Sequence, residues 1–246
     1  MIISHKHKFI YIKTRKTAST SLALFFSQFC GENDIVPPAY EFAPGKGDVN
    51  SPRNYRGIFN PVPEMRQQMN LVIHNKKAHI HCSSNAFKDA LRRRKFYGHI
   101  PAYQLKKRLP HKIWLEYYKF CFERNPWDKT VSWFFYCKNV NSSNLSFDEY
   151  IRETNLPYNY PLYTNPSDNR EVIVDHVGKY EYLNDELENI CIKLGIPFQG
   201  KLEINALANY RDKRKAYQDY FINDQSMELI RNSFAPEIKL NNYDFN

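Results

Sequence analysis

Three groups of residues carry side chains suited to chemistry. The first is the run Lys16-Thr17-Ala18-Ser19-Thr20-Ser21, an ammonium beside four hydroxyls. Small polar residues and a lysine at the start of a helix make an anion site, because the first N–H groups of a helix have no partner inside it. The same residue types also serve as ordinary helix caps and solvated turns, so the run alone fits either reading. No glycine precedes Lys16 or lies in the turn. The Walker A spacing is absent, which disfavours a standard nucleotide triphosphatase. The second group is Arg124, followed by Asn125-Pro126-Trp127-Asp128, with Ser132 further on. A guanidinium can grip a phosphate with two bonds, or it can simply pair with an acid. The third is His99, just before Pro101. A lone histidine at a turn is more often structural than catalytic, though its pKa makes it a candidate base.

The flanking patterns say how these groups are positioned. Phe9 to Ile12 is a continuous apolar run, expected of a buried parallel strand. Leu22, Phe25, Phe26 and Phe29 then fall at the spacing of one helical face. Tyr117 to Glu123 is a second apolar run. After it, Asn125 is a good helix N-cap and Pro126 a good first helical residue, with Val131, Phe134 and Phe135 continuing the helix. Both basic groups therefore sit where a strand ends and a helix begins, along one edge of a sheet, where open α/β folds bind ligands.

The remainder of the chain is organised around these units. Residues 34 to 66 hold six prolines and three glycines and read as a long irregular loop. Gly45-Lys46-Gly47 within it is a turn, since no strand precedes it. A short strand or extended segment is expected near Ala78–His81, and Ser83, Ser84 and Asn85 then offer caps for a helix carrying Phe87, Ala90 and Leu91. Arg92 to Lys95 would end that helix, either as a solvated C-terminus or as a surface for an acidic substrate. Pro101 suits the first turn of a helix through Leu105 and Leu109. Ser146-Phe147-Asp148-Glu149 is a capping box. Residues 155 to 170 form a second loop, and Glu171 to Asp175 a short strand. A helix starts at Asn184 or Asp185 and stops at Gly195. Residues 209 to 217 make a basic, aromatic loop, and a last helix spans about Asp224 to Phe234. Tyr243 and Phe245 are expected to pin the tail.

Bulk properties narrow the partners. The 246 residues suit one domain, and a 15% share of aromatics calls for a core rich in Phe and Tyr. A net charge of +9 points to anionic partners. Five scattered cysteines, an odd number without paired spacing, argue against a disulfide framework and against a zinc site. No apolar run reaches the ~18 residues of a membrane span, and no signal-peptide pattern opens the chain. The simplest location is the cytoplasm.

Taken together, the segments resemble the sulfotransferases that use 3′-phosphoadenosine-5′-phosphosulfate (PAPS), most of all the carbohydrate sulfotransferases with Golgi and bacterial members. Lys16-Thr17-Ala18-Ser19-Thr20-Ser21-Leu22 is similar to that family's 5′-phosphosulfate loop. Phe122-Glu123-Arg124-Asn125-Pro126-Trp127-Asp128-Lys129-Thr130-Val131-Ser132 is similar to its 3′-phosphate motif and is the more specific match. His99-Ile100-Pro101-Ala102, Val177-Gly178-Lys179-Tyr180-Glu181 and the Tyr-rich C-terminal part extend the likeness. Two departures stand out: Arg15 where the family more often has proline or a small residue, and Ser19 where it often has glycine.

The resemblance implies a single α/β domain with a central, mainly parallel sheet flanked by helices, P-loop-kinase-like in arrangement. It implies an in-line transfer of a sulfuryl group from PAPS to a hydroxyl, less readily an amine, of a glycan or small alcohol, releasing 3′,5′-diphosphoadenosine. Lys16, Thr17, Ala18, Ser19, Thr20 and Ser21 would hold the 5′-phosphosulfate, with Lys16 stabilising the leaving group. Arg124 and Ser132 would hold the 3′-phosphate. The Arg211 to Tyr217 loop would cover the cofactor, with Arg214 and Lys215 as phosphate contacts. His99 is the first choice of base, with His81 and Glu64 in reserve. No metal and no nucleic-acid partner is implied. Tyr40, Tyr55, Tyr158, Tyr160 and Tyr163 could stack on sugar rings. Two rivals need other features. A P-loop small-molecule kinase would want a glycine-bearing loop and a magnesium-binding acid, for which Asp175 is a candidate. A non-catalytic glycan- or nucleic-acid-binding module would want a basic aromatic stripe, which residues 210 to 220 partly supply.

Overall fold

The architecture was read from a computed structural model that describes residues 1–38, 51–73, 86–141, 145–166, 171–203 and 215–245. Gly45-Lys46-Gly47, Tyr40, the segment Ala78–His81, the caps at 83 to 85 and Arg211 to Arg214 lie outside the described residues. The chain runs β1 (Ile2–Ser4), β2 (Phe9–Tyr11), α1 (Ser19–Ser27), α2 (Val62–Ile73), α3 (Ala86–Leu91), α4 (Ala102–Arg108), α5 (His111–Glu116), β3 (Tyr118–Glu123), α6 (Pro126–Asn141), α7 (Phe147–Glu153), α8 (Tyr160–Tyr163), β4 (His176–Lys179), α9 (Leu183–Leu194), α10 (Asp224–Ser233) and α11 (Ala235–Asn241). The described strands form one mixed sheet in the order β1-β2-β3-β4. β1 pairs antiparallel with β2, while β2–β3 and β3–β4 are parallel. The result is a single α/β domain.

Alternation along the strands builds two cores, one on each face of the sheet. Ile10, Ile12 and Cys121 face a core shared with Ile100, Leu105, Leu162 and Tyr163. Phe9, Tyr11, Phe120 and Phe122 face the other, against Leu22 and Phe26 of α1 and Leu187 and Ile190 of α9. The high aromatic content is spent here: Phe9, Tyr11, Phe26 and Phe120 lie with ring centroids 5.2 to 5.8 Å apart. A third apolar cluster joins α6, α7 and α10, and Phe245 of the tail packs on Trp127, Tyr217 and Phe221. Gly178 in β4 has no substitute, because a Cβ there would lie 2.9 Å from the Phe122 ring.

The first helix opens at Ser19, so the small polar residues Ser19, Thr20 and Ser21 occupy its first turn as the sequence predicts. Two boundaries differ from the sequence expectation. Residues 62 to 66 are helical rather than loop. Asn60 Oδ1 accepts the Val62 N–H at 3.0 Å, and Pro61 and Pro63 flank a helix start, where the missing N–H is harmless. The expected strand at Glu171–Asp175 is displaced to His176–Lys179. Asp175 makes the ladder's first contact: its backbone N–H donates to the Lys119 carbonyl at 2.8 Å, and its carboxylate accepts the Lys119 backbone N–H at 2.7 Å and the Lys119 ammonium at 2.9 Å, so residue pairing with β3 begins at His176. The apolar residues before it, Val172 to Val174, pack into the first core instead. The capping box at Ser146 and Glu149 forms as the sequence predicts, and Gly195 ends α9 in the left-handed conformation.

Candidate active site

The loop between β2 and α1 is held from below by hydroxyls. Thr14 Oγ1 lies 2.6 Å from the Phe122 carbonyl, which only accepts, so Thr14 donates there. Thr17 Oγ1, 2.9 Å away, must then donate to Thr14. Thr17 is buried and its hydroxyl hydrogen is used inside the loop. Ser19, Thr20 and Ser21 are the first-turn residues of α1, where backbone N–H groups point out of the helix's N-terminal end. Two residues adopt left-handed backbone: Lys16 at φ 59° and Ala18 at φ 53°. These are the positions at which a glycine would relieve strain, and the absence of glycine is absorbed as strain of about 1 kcal/mol or more each.

Charge converges on this turn. Lys16 Nζ lies 4.6 Å from the centroid of the Tyr136 ring, one helical turn beyond Ser132 on α6. Lys13, nearly buried, places its ammonium 3.2 Å from Thr20 Oγ1. Lys13 is a second cation in the cradle that the motif alone did not single out, although it stands directly at the strand's end. Arg124 Nη1 donates to the Lys16 carbonyl at 3.0 Å, which ties the two basic motifs together through one hydrogen bond. The rest of its fork holds Asp128, with Nε and Nη2 at 2.8 and 2.7 Å, and its plane lies over Tyr180 at 4.3 Å. The side-by-side pair of N–H groups expected to grip a phosphate is thus engaged by Asp128. Asn125 caps α6 as expected, its Oδ1 accepting from Trp127 N at 3.1 Å.

His99 joins the same turn. Its Nδ1 lies 2.8 Å from the Lys13 carbonyl oxygen. A carbonyl cannot donate, so Nδ1 carries the proton and Nε2 the lone pair. Burial first, then the charges of Lys13 and Arg15, hold the ring well below the ordinary histidine range, so it is neutral at pH 7. A neutral imidazole fixed in this tautomer has the form of a general base.

The comparisons with known proteins agree with the motifs. The sulfotransferase family matches residues 1–244, essentially the whole chain. The chain belongs to the sulfotransferase family. A protein from Archaeoglobus fulgidus, described only as uncharacterized, is 41% identical over 118 residues, which is 46% of this chain and 98% of its own length. No solved structure matches the chain significantly.

Several sequence candidates of this sulfotransferase are assigned elsewhere by their contacts. Glu64 is buried and accepts two bonds of 2.6 Å from Arg108, so it is a structural ion pair and not a reserve base. His81 and Arg214 lie outside the described residues. Lys215 is exposed, with its ammonium 4.4 Å from the centroid of the Tyr220 ring. Tyr163 is a core residue whose hydroxyl donates to Glu123, and Tyr158 stacks on Phe234, so neither is a platform for sugars. Asp175 is paired with the Lys119 ammonium at 2.9 Å, and among the described residues no group of three or more His, Cys, Asp or Glu could hold a metal ion. Arg94 pairs with Asp89, while Arg92 and Arg93 are exposed. Among the described residues no helix is long and apolar enough to cross a membrane.

Proposed function

We propose that the chain moves a sulfuryl group from PAPS to a hydroxyl of a glycan or small alcohol by in-line displacement, on the P-loop-kinase-like arrangement expected of such enzymes. The observation that carries this reading is the Arg124-to-Lys16 hydrogen bond, which sets two basic strand-to-helix turns side by side. A donor with two separate anionic ends needs two such turns. The donor set fits a phosphosulfate: first-turn N–H groups, Lys16 and the nearly buried ammonium of Lys13. When bound, PAPS supplies the sulfuryl group and leaves as 3′,5′-diphosphoadenosine.

The roles follow from position. The backbone of residues 16 to 21 and the hydroxyls of Ser19, Thr20 and Ser21 hold the 5′ end, and Lys16 neutralises charge at the leaving oxygen. Arg124 and Ser132 hold the 3′-phosphate, Arg124 through its charge and the N–H groups that Asp128 leaves over. Arg214 and Lys215 contribute phosphate contacts. His99 Nε2 accepts the acceptor's proton. Its depressed pKa would rise beside an anionic donor, toward the range in which a general base works best. The test is transfer of labelled sulfate from PAPS to a panel of glycans and small alcohols. Wild type is expected to label an acceptor, and Lys16→Ala to lose turnover while still binding 3′,5′-diphosphoadenosine. A Lys16→Ala protein with undiminished turnover would refute the leaving-group role.

A further inference from the structure

Arg15, the residue that departs from the family pattern, is held by a buried network that reaches five elements. Asn159 opens α8 and is fully buried. Its Oδ1 accepts the Arg15 backbone N–H at 2.7 Å, and its Nδ2 donates to the Arg15 carbonyl at 3.0 Å. The same Nδ2 donates to Glu123 Oε1 at 3.0 Å. The backbone N–H groups of Asn159 and Tyr160 both donate to Glu237 Oε1, at 2.7 and 2.8 Å. Lys129 joins the two carboxylates, donating to Glu123 Oε1 and Glu237 Oε2. The ring closes from the loop through α8, β3, α6 and α11 and back to Asn159. The Arg15 side chain adds a bond from Nη1 to the Tyr158 carbonyl at 2.9 Å.

The loop needs such a restraint. Lys16 sits at φ 59°, a conformation that persists in a non-glycine residue only when its surroundings over-determine it. Asn159 fixes the two peptide groups that enter Lys16, through the N–H and the C=O of Arg15. Arg124 fixes the one that leaves it. Three consecutive peptide groups are therefore pinned, and the direction of the Lys16 side chain follows from them.

We propose that Asn159 is a positioning residue for the anion-binding loop: its carboxamide sets the backbone at Arg15 and so aims Lys16 and the first turn of α1 at the 5′ end of the donor. The inference rests on the donor assignment above. It assigns a function to the segment before α8, which the sequence presents only as a loop rich in Asn, Pro and Tyr.

The experiment compares wild type, Asn159→Ala and the isosteric Asn159→Asp for binding of 3′,5′-diphosphoadenosine and of 3′-AMP, together with kcat and the melting temperature. Because 3′-AMP lacks the 5′ phosphate, it reports the Arg124–Ser132 grip alone. Both variants are expected to bind the diphosphate about tenfold more weakly, the effect of losing roughly 1.4 kcal/mol, with 3′-AMP affinity unchanged and kcat reduced. Asn159→Asp is expected to recover affinity as the pH is lowered, because a protonated carboxyl again supplies both an acceptor and a donor; Asn159→Ala is not. If Asn159→Ala fails to fold, the isosteric variant carries the test. Lowered melting temperatures with wild-type diphosphate affinity and kcat would make Asn159 merely structural and overturn the proposal. A wild type indifferent to the diphosphate would overturn the donor assignment itself.

Discussion

Replacing Lys129 tests the buried charge network behind the site. Glu123, Lys129 and Glu237 are each at most 1% exposed. Two carboxylates and one ammonium leave one uncompensated negative charge. Burial first, then the neighbouring Glu123 charge, push Glu237 up to about 7. Its folded pKa is thus above the ordinary carboxylate value of 4.5. Between those two values the folded state holds a proton that the unfolded state has released. This group's contribution to stability therefore falls as pH rises through the window and levels off above about 7. Lys129→Met leaves two carboxylates facing each other without a counter-charge. Breaking a buried pair in this way costs about 3–5 kcal/mol. For a chain of this size each kcal/mol moves the melting temperature by about 2–4 °C, so the expected drop is about 6–20 °C. Glu237→Gln removes the surplus charge and keeps the Lys129–Glu123 pair, so at pH 8 it should cost far less. It should also flatten the dependence between pH 4.5 and 7 relative to wild type. Calorimetric melts from pH 5 to 8 at constant ionic strength measure both, and the titration of His99, common to all three proteins, cancels in the differences. Equal losses for Lys129→Met and Glu237→Gln at pH 8, or an unchanged slope in Glu237→Gln, would refute the charge count.

Two further outcomes follow from the loop. Ala18 is left-handed at φ 53°, so Ala18→Gly should leave the melting temperature equal or higher, whereas the β-branched Ala18→Val should cost about 2 kcal/mol; indistinguishable melts would contradict the strain. His99→Ala should keep its affinity for 3′,5′-diphosphoadenosine while transfer falls by about 10²–10⁴, and full transfer in that variant would place the base elsewhere.

Much of this was legible in the residues because it depends on local pattern. Phe9–Ile12 and Tyr117–Glu123 read as buried parallel strands from continuous apolar runs, and they do pair in parallel. The caps at Asn125 and Ser146 were visible because capping is a matter of spacing within one turn. What could not be read is what depends on distant partners. The pinning of Arg15 by Asn159 joins residues separated by 144 positions. Glu64 looked like a spare base because its partner, Arg108, lies on another helix. The displacement of the last strand came from Asp175 finding Lys119, a contact that no period in the segment 171 to 175 encodes. Tyr163, a plausible sugar platform in sequence, turned inward because Glu123 offered its hydroxyl an acceptor. Arg124 could be recognised as a ligand-facing arginine, but not that Asp128, one turn on, occupies its fork.

The central claim is that two adjoining basic turns hold the two ends of one nucleotide. The most direct test is a thermal-shift titration with 3′,5′-diphosphoadenosine, run beside ATP with magnesium and repeated on Arg124→Ala. A specific ligand at a hundredfold excess over its dissociation constant stabilises the native state by about 2.7 kcal/mol. The account predicts a stabilisation of that order with the diphosphate, little with ATP and magnesium, and none in Arg124→Ala. A wild-type melting temperature that does not move with 3′,5′-diphosphoadenosine, or that rises equally in Arg124→Ala, would contradict it.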